Sequence, residues 1–323
     1  MPIHPLTAAA LRILSYPDLN IRKNYRLERK AKQLLHPAMK FLWQTWDHRV
    51  VREGREIPVR AFIPAEMRSR EIFLFFHGGG WVSGNIDSYT AVCGTLAELM
   101  GRRVLSVDYR LAPEHRFPAG LEDCYAVAKA LFAQASTPGS PIGVTPEDII
   151  LIGDSAGGNL AAAVSLLAAR RGEFMPRRQI LVYPALQNDF GPQSPFPSVH
   201  ENRRGYLLTP ERVADYLSLY MQSEADLKNP LFSPLLASDL RGQPATLMIT
   251  AAYDPLRDEG EAYAARLAED GVPVTLYRAP DALHGFFSLP PAFPAVRNAY
   301  RQLALFLGDD PITDEKETTK KHE

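Results

Sequence analysis

The sequence predicts an α/β fold with a mainly parallel central sheet and helices on both of its faces. Three observations carry that expectation. Short apolar runs of strand length recur along the chain, and they alternate with stretches of helical periodicity. Strand–helix–strand units of this kind close by right-handed crossovers, which place the helices above and below a parallel sheet. The 323 residues, 46% hydrophobic and 23% charged, suffice for a sizeable core in one large domain or two smaller ones.

The N-terminal segment carries Arg22, Lys23, Arg26, Arg29, Lys30 and Lys32, interleaved with Leu27, Leu34 and Leu35. That spacing predicts a surface helix with a solvated cationic face. From Val50 the period changes to two. Val50-Val51 and Ile57-Val59-Ala61-Ile63 flank the turn signal Glu53-Gly54, which predicts an antiparallel hairpin.

Buried strands are expected at Ile72–Phe76, Val104–Tyr109, Ile149–Gly153, Gln179–Tyr183, Ala245–Ala251 and Val274–Ala279. Between them run helical stripes: Tyr89, Val92, Cys93, Leu96, Leu99 and Met100, then Leu121, Cys124, Tyr125, Ala128, Leu131 and Phe132. A last stripe, from Phe293 through Val296, Tyr300 and Leu303 to Leu307, closes the fold. Between Asn188 and Pro230 the rhythm breaks. Gly191-Pro192, Pro195 and Pro197 precede a helical Glu211–Met221 with no strand, so this stretch is read as an insertion over the sheet. The polar residues 309–323 are read as a disordered tail.

Charge narrows the function. With 36 Lys+Arg against 37 Asp+Glu the net charge is -1, which argues against a nucleic-acid footprint. No signal peptide, membrane span or metal-ligand spacing is found, and Cys93 and Cys124 read as buried thiols rather than a disulfide. These features predict a cytoplasmic protein without a metal site.

Chemistry concentrates at four places. Gly153-Asp154-Ser155-Ala156-Gly157 follows a strand directly and opens the helical run Leu160–Arg170, the context of a nucleophile elbow. A serine there stands at a helix N-terminus, where dipole and free N–H groups favour developing negative charge. A hydroxyl needs an adjacent base. Of the 8 histidines, His284 lies just after a predicted strand, at the carboxyl edge where catalytic groups of open parallel sheets gather, whereas His200 falls in the insertion and His322 in the tail. Asp254, also beyond a strand end, is the expected orienting carboxylate; Asp258 and Glu259 are read as first-turn acids facing a helix dipole. His77-Gly78-Gly79-Gly80 follows the first central strand and could aim backbone N–H groups at an oxyanion; the spacing does not suit a phosphate loop. His77 itself is expected to fix the loop.

Taken together, His77-Gly78-Gly79-Gly80-Trp81, Asp108-Tyr109-Arg110-Leu111-Ala112-Pro113-Glu114, Gly153-Asp154-Ser155-Ala156-Gly157-Gly158, Asp254 to Gly260 and His284-Gly285-Phe286 resemble the hormone-sensitive lipase family of bacterial esterases, within the α/β-hydrolase fold. The resemblance spans roughly residues 72 to 287. It implies Ser155 as nucleophile, Asp254 as acid and His284 as base, with oxyanion donors from Gly79, Gly80 and Ala156. It further implies a helical cap of residues 1–46 and 188–230 over a catalytic domain of 47–187 and 231–308, short acyl esters as substrates, and no cofactor. Leu240 to Ala245 departs from the double proline often seen before the acid strand, at a surface approach. Deacylation of an amide or an acetylated sugar, a non-catalytic receptor on the same fold, and a homodimer all stay open.

Overall fold

Alternation of apolar and polar residues builds the first pair of strands. In the computed structural model, which describes residues 21–35, 42–203 and 206–310, β1 (Gln44–Arg52) and β2 (Arg55–Ile63) form the expected hairpin around Glu53 and Gly54. β1 starts at Gln44, so the sheet reaches into the stretch that the sequence assigned to a cap. The sheet continues with β3 (Ile72–Phe76), β4 (Arg103–Val107), β5 (Ile149–Asp154), β6 (Arg178–Val182), β7 (Ala245–Tyr253) and β8 (Val274–Leu283). Its eight strands run in the order β1-β2-β4-β3-β5-β6-β7-β8. β1, β2 and β4 pair antiparallel and every later pairing is parallel.

Side chains of β3 show why this sheet must be covered twice. All of Ile72–Phe76 is buried. Ile72, Leu74 and Phe76 join one apolar cluster, while Phe73 and Phe75 join the other, as the period of two requires. Helices α2 (Thr90–Met100) and α8 (Pro294–Leu307) cover one face through Cys93, Leu96, Val296 and Leu303. Helices α3 (Ala119–Ala135), α4 (Ala156–Arg171) and α7 (Arg257–Glu269) cover the other through Cys124, Leu160 and Leu267. Both cysteines are buried and unpaired.

Among its described residues the insertion contains no strand. It holds α5 (Pro197–Glu201) and α6 (Pro210–Tyr220), the latter started by Thr209, whose side chain accepts the Arg212 N–H. The N-terminal helix α1 (Ile21–Leu35) packs on α6. Its cationic face is less solvated than expected. Arg29 donates to the carbonyls of Val82 and Ala112 and pairs with Glu114, and Arg22 pairs with Asp215 at 2.6 Å. Glu28 accepts from the Tyr216 hydroxyl at 2.6 Å and pairs with Arg212.

Two further expectations need correction. The last helix begins at Pro294, which leaves Phe293 half exposed and outside the stripe. The tail was expected to begin at residue 309, but Asp309 is fixed by a two-pronged ion pair with the buried Arg102, at 2.6 and 2.9 Å. The remaining tail, from residue 311, lies outside the described residues, as do residues 1–20 of the expected cap. Among the described residues no helix is long and apolar enough to cross a membrane.

Candidate active site

The turn between β5 and α4 is possible only with glycine on either side of Ser155. A Cβ on Gly153 would overlap the Gly157 backbone, and one on Gly157 would overlap the Phe76 carbonyl oxygen on the neighbouring strand. Close approach of strand and helix therefore excludes any side chain there. Ser155 is left at φ 55 and ψ -120, a conformation that a non-glycine residue adopts only where its surroundings hold it. Its N–H donates to Val182 O at 2.9 Å, and its carbonyl accepts the Asn159 and Ala185 N–H groups.

Asp254 and His284 come from the ends of adjacent strands. Both strands run further than the sequence suggested: β7 to Tyr253 and β8 to Leu283, so each residue follows its strand immediately. The register shifts between the pairs Ala251–Ala279 and Tyr253–Leu283, which lets β8 take up extra residues before its end. His284 Nδ1 lies 2.7 Å from Asp254 Oδ2 and its Nε2 lies 2.9 Å from Ser155 Oγ. Asp254 is fully buried and its other oxygen accepts the Leu256 N–H at 2.9 Å, so the carboxylate has little freedom to turn. Tyr183, buried behind the imidazole, places its ring centroid 4.8 Å from that of His284.

The glycine loop stands opposite. Gly79 and Gly80 have φ of 114 and 62, where a Cβ would be strained, and a Cβ on Gly80 would strike the Tyr216 ring of α6. Among the described residues, no acceptor holds the N–H groups of Gly79, Gly80 or Ala156. Ala156 opens α4, where the first N–H groups have no partner within the helix. His77 fixes the loop as expected. Its Nδ1 lies 2.8 Å from Gly78 O, its ring stacks on Tyr109 at 4.2 Å, and its carbonyl accepts the Tyr109 hydroxyl.

Several residues here escaped the sequence reading. Asp154 Oδ1 accepts the Gly78 N–H at 2.8 Å and Oδ2 accepts the Tyr89 hydroxyl at 3.0 Å, which ties the serine turn to the glycine loop. Tyr89 was assigned to an apolar stripe. Its ring does pack there, against Phe75, but burial and the Asp154 carboxylate push its hydroxyl pKa well up and keep it a donor. A polar tip on an aromatic stripe residue, next to a motif that buries a carboxylate, was the available signal.

The two acids set aside in the sequence reading also behave differently from expectation. Neither merely faces a helix dipole. Asp258 accepts the Ser198 N–H at 2.6 Å and pairs with Arg257 at 2.7 Å. Burial alone would raise its pKa, and these partners outweigh it to hold the pKa below the usual carboxylate range. Glu259 is wholly buried, accepts the Leu186 N–H at 2.6 Å, and has its pKa pushed well up, first by burial and further by the Asp254 charge.

Ser155, Ala156, His284, Gly79 and Gly80 line one cavity of about 340 Å³, whose wall also includes Leu208, Arg212, Val213 and Tyr216 of the insertion. Among the described residues no group of three or more His, Cys, Asp or Glu is arranged to hold a metal.

Comparison with known proteins agrees with this architecture. A model of the alpha/beta hydrolase fold matches residues 73–288. An arylesterase of Saccharolobus solfataricus is 36% identical over 296 residues, which is 90% of this chain and 94% of that protein. An ethyl acetate hydrolase of Pseudomonas putida is 36% identical over 74% of each chain. The solved hyperthermophilic esterase from Pyrobaculum calidifontis superposes with a TM-score of 0.81 at 35% identity, covering 94% of this chain and 97% of that one. The chain belongs to the hormone-sensitive lipase-like esterases of the α/β-hydrolase fold, and is a carboxylic ester hydrolase.

Proposed function

We propose that this enzyme hydrolyses short acyl esters by acyl transfer through Ser155, with His284 as base, Asp254 as the carboxylate that orients it, and the N–H groups of Gly79, Gly80 and Ala156 as oxyanion donors. One observation carries the reading: the hydrogen-bonded run from Asp254 through His284 to Ser155, at 2.7 and 2.9 Å, ends in the cavity. Ser155 Oγ attacks the ester carbonyl carbon while His284 Nε2 takes its proton. The carbonyl oxygen becomes an anion, held by donors that need no reorganisation. His284 then returns the proton to the departing alcohol, leaving an acyl-serine. Water attacks that ester with His284 again as base, freeing the acid and restoring Ser155.

Short acyl chains suit a cavity of about 340 Å³ walled by Trp81, Val92, Leu208 and Val213. The Pseudomonas relative, named for ethyl acetate, points the same way. The helix α1 and the insertion together act as the cap, and the buried, unpaired Cys93 and Cys124 fit a reducing cytoplasmic setting. A nitrophenyl ester series from acetyl upward tests the reading, with and without chelator. Turnover is expected through hexanoyl and should fall on longer chains, with no change on chelation. If every ester is left intact, the acyl-transfer reading fails; faster turnover of the longest chains removes the short-chain preference alone.

A further inference from the structure

The loop that carries Asp254 is held from outside the catalytic domain. Asp254-Pro255 makes a tight exit from β7, and Pro255 has no N–H with which to anchor itself. The Asp254 carbonyl accepts the Arg257 N–H at 3.2 Å within the turn, and the carbonyls of Asp254 and Pro255 also meet donors from α5 of the insertion and the residue that ends it. Asn202 Nδ2 donates to Asp254 O at 3.2 Å, and the Ser198 hydroxyl donates to Pro255 O at 2.9 Å. Ser198 is wholly buried and Asn202 nearly so.

The same serine joins two helix starts. The N-terminal N–H groups of a helix lack partners within it. Here the Ser198 N–H, in the first turn of α5, donates to Asp258 Oδ2 at 2.6 Å, and the Asp258 N–H, in the first turn of α7, donates to Ser198 Oγ at 3.2 Å. Each helix caps the other. The Ser198 hydroxyl thus donates to Pro255 while accepting from Asp258, a double task that only a hydroxyl side chain of this length performs. Outside this contact, Arg257 spans from Ala252 O at 3.0 Å to Glu201 of α5 at 2.8 Å.

We infer that Ser198 and Asn202 are positioning residues that act on the reaction through Asp254, so that the front of the insertion is a fixed part of the catalytic platform. The inference rests on the triad reading above. A carboxylate that orients a base must be held within a fraction of an ångström, and the turn's own bonds, from the Leu256 N–H to Oδ1 at 2.9 Å and from the Arg257 N–H to the Asp254 carbonyl at 3.2 Å, run only to the residues that follow Asp254 in the chain and tie its backbone to no neighbouring element. The insertion supplies that restraint.

The test compares Ser198→Ala, Asn202→Ala, Ser198→Thr and Asp254→Asn by steady-state kinetics and by the far-downfield proton resonance of the His284–Asp254 hydrogen bond. Ser198→Ala should lower kcat by about 10- to 100-fold, with KM changed less than about threefold, and should shift or broaden that resonance. Ser198→Thr, which keeps the hydroxyl, should recover most of kcat. A folded Ser198→Ala enzyme overturns the inference if its kcat falls less than about tenfold, if its loss sits in KM, or if its resonance is unchanged. Should Ser198→Ala fail to fold, Asn202→Ala is judged by the same criteria. Asp254→Asn separates the two claims. If it loses roughly 10⁴ in kcat while the Ser198 and Asn202 variants lose nothing, only the positioning role falls; if it stays active, the triad reading itself falls.

Discussion

Asp154 Oδ1 accepts the Gly78 N–H at 2.8 Å, so the residue before the serine holds the loop that faces it. Two parts of the site that lie far apart in sequence are thereby set at one distance. Asp154→Ala should break this tie and lower kcat by about 10²-fold, comparable to the loss of an oxyanion donor, with a smaller change in KM. Steady-state kinetics on a short nitrophenyl ester checks it, and an unchanged kcat would show that the loop holds itself.

Ser155→Ala should lower kcat by on the order of 10⁶, as removal of the nucleophile does in serine hydrolases. A fluorophosphonate should label the native enzyme at Ser155 and leave the variant unlabelled. Peptide mapping that finds the label on another serine rejects the assignment.

The aspartates at 254 and 258 part company in their hydrogen bonds, and their variants should do so in their kinetics. Asp254→Asn leaves His284 with the wrong partner and should reduce kcat by roughly 10⁴. Asp258→Asn keeps an oxygen for the Ser198 N–H and loses the ion pair with Arg257, so it should cost about 1 kcal/mol of stability and less than about tenfold in kcat. Chemical denaturation and kinetics on the two proteins decide it, and a larger kcat loss at position 258 would exchange their roles.

Gly157→Ala should be more damaging than its single methyl suggests. The added carbon would overlap the Phe76 carbonyl oxygen, on a backbone with no room to move, and should destabilise by about 3 kcal/mol. Gly172→Ala, at φ 64 but in open space, should cost about 1 kcal/mol. Similar melting temperatures for the two variants would remove the close-approach argument.

Glu259 links stability to pH. Burial raises its folded-state pKa well above the value near 4.3 expected of the unfolded chain. Between those two values the folded protein keeps a proton that the unfolded chain has released. The stabilisation is therefore whole below about pH 4 and is lost as pH rises towards the folded pKa. Glu259→Gln cannot ionise, so from pH 5 to 8 its unfolding free energy should fall less than that of the native enzyme. Parallel pH profiles for the two proteins would mean that Glu259 is not protonated in the folded state.

Local pattern determined much of this protein. The hairpin at Glu53-Gly54, the buried strands, the helix inside the insertion and the serine turn were legible because each rests on a short-range rule: side-chain period, turn chemistry, or glycine where a backbone must pass closely. Ser155, Asp254 and His284 were named from strand ends, and the structure brings them together. What the sequence misjudged were distances set by packing across many residues. β7 and β8 run on past Ala251 and Ala279 because pairing continues through an irregular register, which no propensity records. Glu259 looks like a solvated helix-start acid until the loop at Leu186 closes over it. Ser198 and Asn202 sit in a stretch read only as irregular, and their hydrogen bonds to the Asp254 loop exist because α5 folds back onto α7. Neighbouring residues decide which element forms, but a buried polar group takes whichever partner the finished fold sets beside it, and only the tertiary structure decides that.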